Sequence, residues 1–228
     1  MTSPLRPDRD AMGELFIWTD IDPAHETDFN RWYDREHMAE RAAIPGFLWS
    51  RRYRASTGER PYLALYRTAS LGVFESDAYR QAFGQQTAWS LENFGRMRNT
   101  SRRVMAVSPL GGVGTGGALA LLRLGDTDTA RRVAAQAGEA LRTDGVLALR
   151  LLTPDPALST PLPSEDAATR VLEPVLLIEG TSEAAAAEAA RQLAHGAGLP
   201  ADRVRTFQLL WDLRADDLRA AAGPADHP

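Results

Sequence analysis

One short stretch of the chain carries residue types that could move protons. Tyr33 and His37 are four positions apart, so a helix would place them on one stripe of its surface, together with Phe29. An imidazole exchanges protons near neutral pH, and a phenol can donate a hydrogen bond to a developing oxyanion. Glu36 could orient or charge the imidazole. The pattern predicts acid–base catalysis by His37, with Tyr33 as oxyanion donor and Glu36 as orienting group.

Aromatic residues are concentrated in the same half of the chain. All five tyrosines and four of the five tryptophans lie there, whereas the second half is mostly Ala, Leu and Val. A ligand pocket needs apolar walls with a few convergent polar groups, and aromatic side chains supply both. Arg51 and Arg52 have opposite facings on a strand, so one of them could hold a carboxylate or enolate. The predicted substrate-binding residues are Trp18, Trp32, Trp49, Arg51, Asp20 and His25.

Each of these residues also has a purely structural interpretation. The aromatic residues could form a bulkier core, and His37 could be a hydrogen-bonded histidine near a helix end, where a cation is favoured. The spacing of His25, Glu26, Glu36 and His37 matches no known metal site, so we predict neither a metal nor a cofactor. His195 could ligate haem in principle, but its place late in a helix favours C-cap chemistry.

The elements that would position these residues follow the order β-α-β-β-α-β twice. In the first half the predicted strands are 14–20, 47–54, 62–67 and 103–108, and the predicted helices are 22–43 and 75–99. In the second half the strands are 119–124, 144–152, 171–179 and 204–213, and the helices are 127–141 and 182–194. The predicted fold class is α+β, with tandem ferredoxin-like repeats and antiparallel sheets forming an α/β-barrel-type assembly. The predicted divisions are 12–109, a linker at 110–117, 118–214 and a tail at 215–228.

The glycine-rich segment between the halves formally satisfies a dinucleotide-binding pattern through Gly112, Gly114 and Gly117. That motif works only where it leads into a helix, and here a strand follows. We therefore predict a flexible linker. If the halves are aligned on Gly46 and Gly145, the residues opposite His37, Tyr33 and Glu36 are Gln136, Arg132 and Ala135. One competent site per chain is the expectation.

Composition limits the function classes. A formal charge of −4 over 228 residues gives no reason to expect nucleic acid as a partner, which would call for a basic face. The absence of cysteine excludes disulfides and thiolate chemistry and fits a reducing cytoplasm. No segment approaches the length of a membrane span, and the first ten residues lack the apolar core of a secretory signal. We expect a cytoplasmic protein whose partner is a small molecule.

The run Phe29–Met38 with Trp32, Tyr33, Glu36 and His37, followed by 44–47 (Ile-Pro-Gly-Phe), resembles the dimeric α/β-barrel superfamily near its EthD-like group. The resemblance covers about residues 13–108. It implies ferredoxin-like units that close a barrel either within a duplicated chain or across a homodimer. The members of this superfamily include cofactor-free monooxygenases, polyketide cyclases, isomerases, decarboxylases and haem enzymes. A His and a Tyr recur in the barrel cavity of its cyclase branch, and the resemblance implies that role for His37 and Tyr33.

Together these features predict a cofactor-independent lyase, cyclase or isomerase that acts on a carbonyl-rich, aromatic or polyketide-like molecule. Two alternatives stay open. One is a cofactor-free monooxygenase on a phenolic substrate, because activated carbanions react directly with oxygen. The other is a non-catalytic small-molecule-binding barrel. Fold alone does not separate them.

Overall fold

A computed structural model describes residues 8–162, 165, 168 and 170–221, and eight antiparallel strands close a barrel within this one chain. The strand order is β1-β3-β2-β8-β5-β7-β6-β4, with β4 returning to β1. The strands are β1 (Gly13–Ile21), β2 (Phe47–Arg54), β3 (Tyr62–Thr68), β4 (Met97–Gly112), β5 (Ala118–Arg123), β6 (Val146–Pro154), β7 (Val175–Gly180) and β8 (Val204–Arg214).

Two seams join the first four strands to the last four. In one seam β2 pairs with β8, with Trp49 opposite Arg214, and in the other β4 pairs with β6, with Val107 opposite Leu152. The barrel therefore needs no second chain for closure. A homodimer stays a prediction.

Helices cover the outside of the barrel. Around the predicted site, α1 (Glu26–Trp32) continues through a π-helical turn (Tyr33–His37) into α2 (Met38–Ala42). The Asp22 side chain accepts a hydrogen bond from the Ala24 amide at the start of this segment, as the Asp-Pro pair predicts. The other helices are α3 (Asp77–Gly84), α4 (Ala88–Arg96), α5 (Thr127–Ala134), α6 (Ala137–Ala140), α7 (Glu183–Gly196) and α8 (Ala215–Ala221). No helix in the described ranges is long and apolar enough to cross a bilayer.

Alternation along the strands separates two apolar cores. On β1, Phe16 and Trp18 pack inside the barrel, whereas Leu15 and Ile17 pack under the helices of the first half. The helix side of the first half is rich in aromatic residues, among them Phe29, Trp32 and Tyr66. The helix side of the second half is filled by Ala, Leu, Val and Ile.

A charged network fills one end of the barrel interior. Glu14 is fully buried and lies 2.6 Å from Arg67 and 3.4 Å from Arg150, while Glu179 lies 2.7 Å from Arg150 and 3.6 Å from Arg51. Burial alone would raise the pKa of Glu14, but Arg150 and Arg67 outweigh it and hold that pKa below its ordinary value. We call these five residues the barrel-end network.

Several predicted boundaries are wrong for local reasons. The single helix predicted at 75–99 is two helices, because Ser76 caps α3 and Thr87 caps α4. Strand β4 runs on to Gly112, where it pairs with β6, so the predicted linker at 110–117 begins inside a strand. The helix predicted at 127–141 breaks between α5 and α6. The predicted tail contains α8, and residues 222–228 lie outside the described residues.

Candidate active site

The π-helical turn decides which side chains meet. The Met38 amide donates to the Tyr33 carbonyl five residues earlier, which is the spacing of a π turn. This wider turn brings Trp32 against His37, with ring centroids 4.2 Å apart and planes inclined by 30°. A regular helix would have placed Trp32 on the neighbouring stripe. The predicted pairing of Tyr33 with His37 is present, with centroids 5.3 Å apart.

His37 is buried, with 6% of its surface exposed. Burial disfavours the imidazolium and lowers the pKa of His37 to about 4; Glu40 opposes this, and the charges of Arg41 and Arg52 add to it. Its Nδ1 atom lies 3.8 Å from Glu40 Oε2 and has no hydrogen-bond partner among the described residues. At neutral pH His37 is therefore an uncharged base with a free ring nitrogen.

Two tyrosines and an arginine complete the polar surroundings of the imidazole. Tyr66 on β3 lies across from Tyr33, and its ring centroid is 6.2 Å from that of His37. The Arg52 guanidinium lies 4.1 Å from the centre of the Tyr33 ring and donates to Asn30 Oδ1 at 2.6 Å. Burial raises the pKa of both tyrosines, so both hydroxyls are protonated donors at neutral pH. The cluster can take one proton and stabilise one oxyanion.

Glu36 does not face the imidazole, contrary to the role predicted for it. Its Oε1 accepts from Thr87 Oγ1 at 2.6 Å, from Ser90 Oγ at 3.2 Å and from Trp32 Nε1 at 3.2 Å. Glu36 thus ties the helix of the site to α4. The carboxylate nearest the imidazole is that of Glu40.

The predicted substrate-binding residues do not converge. Trp18, Trp49 and Arg51 face the inside of the barrel, because the sheet separates them from the helix of His37. Trp32 alone adjoins the imidazole. Asp20, near the end of β1, accepts from the Arg60 amide at 2.7 Å, and His25 ends the turn before α1. Of the arginine pair, Arg52 rather than Arg51 faces the predicted site.

Three residues that sequence reasoning missed lie near the imidazole: Tyr66, Arg41 and Phe94. Tyr66 shares the facing of Tyr62 and Ala64 along β3, a signal that the alternation of the strand carries. Phe94 on α4 is 38% exposed and lies 5.7 Å from the His37 ring, so it separates His37 from solvent. Its approach depends on the break between α3 and α4.

No family model matches the chain, and no curated protein matches it by sequence. Solved structures do resemble it. An anthrone oxidase-like protein has a TM-score of 0.60 at 12% identity over 92% of this chain and 96% of its own. A candidate monooxygenase from Lactobacillus acidophilus NCFM has a TM-score of 0.55 at 9% identity over 90% and 97%. Another, from Fusobacterium nucleatum, has 0.51 at 10% over 89% and 94%.

At these identities the similarity shows the fold alone, an α+β barrel. The barrel implied by the sequence resemblance is confirmed, since eight antiparallel strands close it in this chain. The tandem ferredoxin-like repeats and the placement near the EthD-like group stay predictions. The chemistry must be argued from the residues of this chain.

Proposed function

We propose that the chain is a small-molecule enzyme that oxidises an electron-rich phenolic or anthrone-like substrate with molecular oxygen, without a bound cofactor. The observation that carries the proposal is His37: a buried, uncharged imidazole with a free Nδ1, beside two protonated tyrosines and the cations Arg41 and Arg52. The finer placement near the EthD-like group, as two tandem ferredoxin-like halves of which only the first is catalytic, belongs to the same proposal.

In the proposed reaction His37 removes a proton from the acidic carbon or hydroxyl of the substrate. A base with a pKa near 4 is weak, but the positive field of Arg41 and Arg52 that lowers its pKa also stabilises the substrate anion. Tyr33, with Tyr66 beside it, donates to the developing oxyanion. The carbanion then reacts with oxygen: a methylene carbon loses two hydrogens and gains one oxygen atom, and the second oxygen atom leaves as water.

The oxidative branch takes precedence over the lyase, cyclase or isomerase interpretation because two kinds of fold neighbour, one anthrone oxidase-like and one a candidate monooxygenase, support it. All branches share the initial proton transfer to His37. They separate at the next step, since only oxidation consumes oxygen.

Oxygen uptake with anthrone as the probe tests the proposal. The wild type should consume oxygen and form anthraquinone above the uncatalysed rate. His37→Gln should lower kcat/KM by roughly 100-fold or more, the usual contribution of a positioned base. Tyr33→Phe should lower it by about tenfold or more. His195→Gln, an exposed histidine on α7, is the matched control and should leave turnover unchanged.

The outcomes separate the alternatives. Turnover that persists without oxygen would assign a cyclase, lyase or isomerase to the same site. Stoichiometric binding without turnover would assign a binding protein. Full activity in both His37→Gln and Tyr33→Phe would show that the chemistry lies elsewhere.

A further inference from the structure

A cavity lies inside the barrel, at the end opposite the barrel-end network. It has a volume of about 370 Å³ and belongs to the size range of small-molecule sites. Its apolar surface comes from Phe16, Trp18, Met105 and Val175, which project inward from β1, β4 and β7. These side chains lie on the face of the sheet opposite to His37, so a molecule bound here does not reach the imidazole.

The rim of this cavity carries more positive than negative charge. Four arginines line it (Arg60, Arg103, Arg123 and Arg170), against the two carboxylates Glu165 and Glu173. Glu165 is held by Arg103 at 2.6 Å. Glu173 lies 2.9 Å from Arg203, which is outside the lining, and 3.8 Å from Arg123. The carboxylates therefore leave a positive excess at the mouth.

Some of the arginine donors there are unused. The Nε atoms of Arg60, Arg123 and Arg170 are buried and have no hydrogen-bond partner in the part of the chain that the structure describes. Buried donors are normally paired, and an unpaired one is unfavourable. Burial lowers the pKa of Arg60; Asp20 and Glu59 oppose this, and the like charges of Arg103 and Arg123 add to it.

The aromatic surface next to these donors is held in place. Trp18 Nε1 donates to the Arg60 carbonyl at 2.6 Å, and the Arg60 guanidinium lies 5.3 Å from the centre of the Trp18 ring. A planar ring placed on Trp18 would bring an attached anionic group to the arginines.

We infer that the barrel mouth binds an aromatic carboxylate, with its ring against Trp18 and its carboxylate paired with Arg60 and Arg123. This site is separate from the His37 cluster and does not depend on the proposed oxidation. A ligand here would reinforce the open end of the barrel by supplying the missing negative charge.

Calorimetric titration with 2-naphthoate tests the inference, with the uncharged 2-naphthamide as the ligand control. Wild type should bind one naphthoate and should bind the amide roughly tenfold or more weakly, because the amide lacks the charge-assisted contacts. Arg123→Met should weaken naphthoate binding by a similar factor. Arg131→Met, on an exposed arginine of α5, is the matched control and should bind like wild type.

The comparison of the two ligands on wild type decides the question even if Arg123→Met fails to fold. Equal affinity for naphthoate and naphthamide, or no saturable naphthoate binding up to millimolar concentration, would overturn the inference. A folded Arg123→Met that binds like wild type would also overturn it. His37→Gln should leave naphthoate binding unchanged, which separates this test from that of the proposed oxidation.

Discussion

The indole of Trp32 lies against the imidazole of His37, with 4.2 Å between ring centroids. The same indole donates through Nε1 to Glu36 and to Ser90 on α4. The position of the imidazole therefore depends on α4, which is distant in sequence. The Glu36 carboxylate holds α4 against the helix that carries His37. This arrangement makes the site sensitive both to acid and to changes at the contact between the two helices.

Acid should destabilise the fold through His37. The folded-state pKa of about 4 lies below the ordinary value of 6.5, so the unfolded chain binds the proton more tightly. Stability from this group is present above about pH 6.5 and is lost as the pH falls toward 4. We expect the wild type to lose about 3 kcal/mol more than His37→Gln between pH 7 and pH 4.

Urea unfolding of the wild type and of His37→Gln across this pH range measures the difference. Both proteins contain the other titrating groups, so the contributions of those groups cancel when the two profiles are subtracted. Parallel pH profiles for wild type and His37→Gln would contradict the buried, uncharged state of His37.

Glu36 should act on stability through α4. Glu36→Ala leaves the hydroxyls of Thr87 and Ser90 without their acceptor and leaves the Trp32 indole with Ser90 alone, which should lower the free energy of unfolding by about 2 kcal/mol. Amide hydrogen exchange over 88–96 should accelerate. The control is Glu92→Ala on α4. The Glu92 carboxylate is exposed, so this substitution should change the free energy of unfolding by less than about 0.5 kcal/mol. Equal effects of the two substitutions would refute this role.

Removing a charge from the barrel-end network should lower the stability of the fold. Glu14→Gln leaves Arg67 and Arg150 buried beside a neutral group, so the free energy of unfolding should fall by about 3–5 kcal/mol. Glu188→Gln breaks an exposed pair with Arg191 and should have almost no effect. Denaturant midpoints of the two variants provide the comparison. A Glu14→Gln protein as stable as Glu188→Gln would mean that the buried charges are solvated.

Alanine substitutions at two neighbouring glycines, Gly116 and Gly117, should differ sharply in their effect on stability. A Cβ atom on Gly116 would lie 1.8 Å from the Gly180 carbonyl oxygen, whereas one on Gly117 would meet nothing closer than 3.8 Å. Gly116→Ala should therefore destabilise the fold by roughly 2 kcal/mol or more, and Gly117→Ala by less than about 1 kcal/mol. Thermal unfolding resolves this difference. Similar melting temperatures would restore the interpretation of this segment as a flexible linker.

Sequence patterns predict those helices and strands that are determined by residues close together along the chain. The strand predicted at 47–54 matches β2, and the Asp22-Pro23 pair marks the start of the helical segment. The π turn is not visible in the same way, because it depends on Glu36 and Trp32 meeting Ser90 on α4. Alternation shows that Arg51 and Arg52 face opposite ways, but only closure of the barrel determines which of them joins Tyr33.

The sequence predicts only the part of the candidate site that depends on residues close together along the chain. Tyr33 and His37 lie close together because they share a helix, whereas Trp18 and Trp49 lie on strands whose inward facing reflects the curvature of the whole sheet. Burial of an arginine beside a tyrosine, as for Arg52 and Tyr33, is a property of the assembled layers. No spacing in the chain encodes it.

Closure through the seam of β2 and β8 also constrains the order of folding during synthesis. The edge of β2 stays without its partner until the ribosome has translated as far as Arg214, since Trp49 pairs with that residue. Until then the nascent first half presents an unpaired strand edge and the exposed indole of Trp49, which are the features that invite intermolecular strand pairing. The interval between translation of β2 and of β8 is thus the period in which the chain is most prone to aggregate.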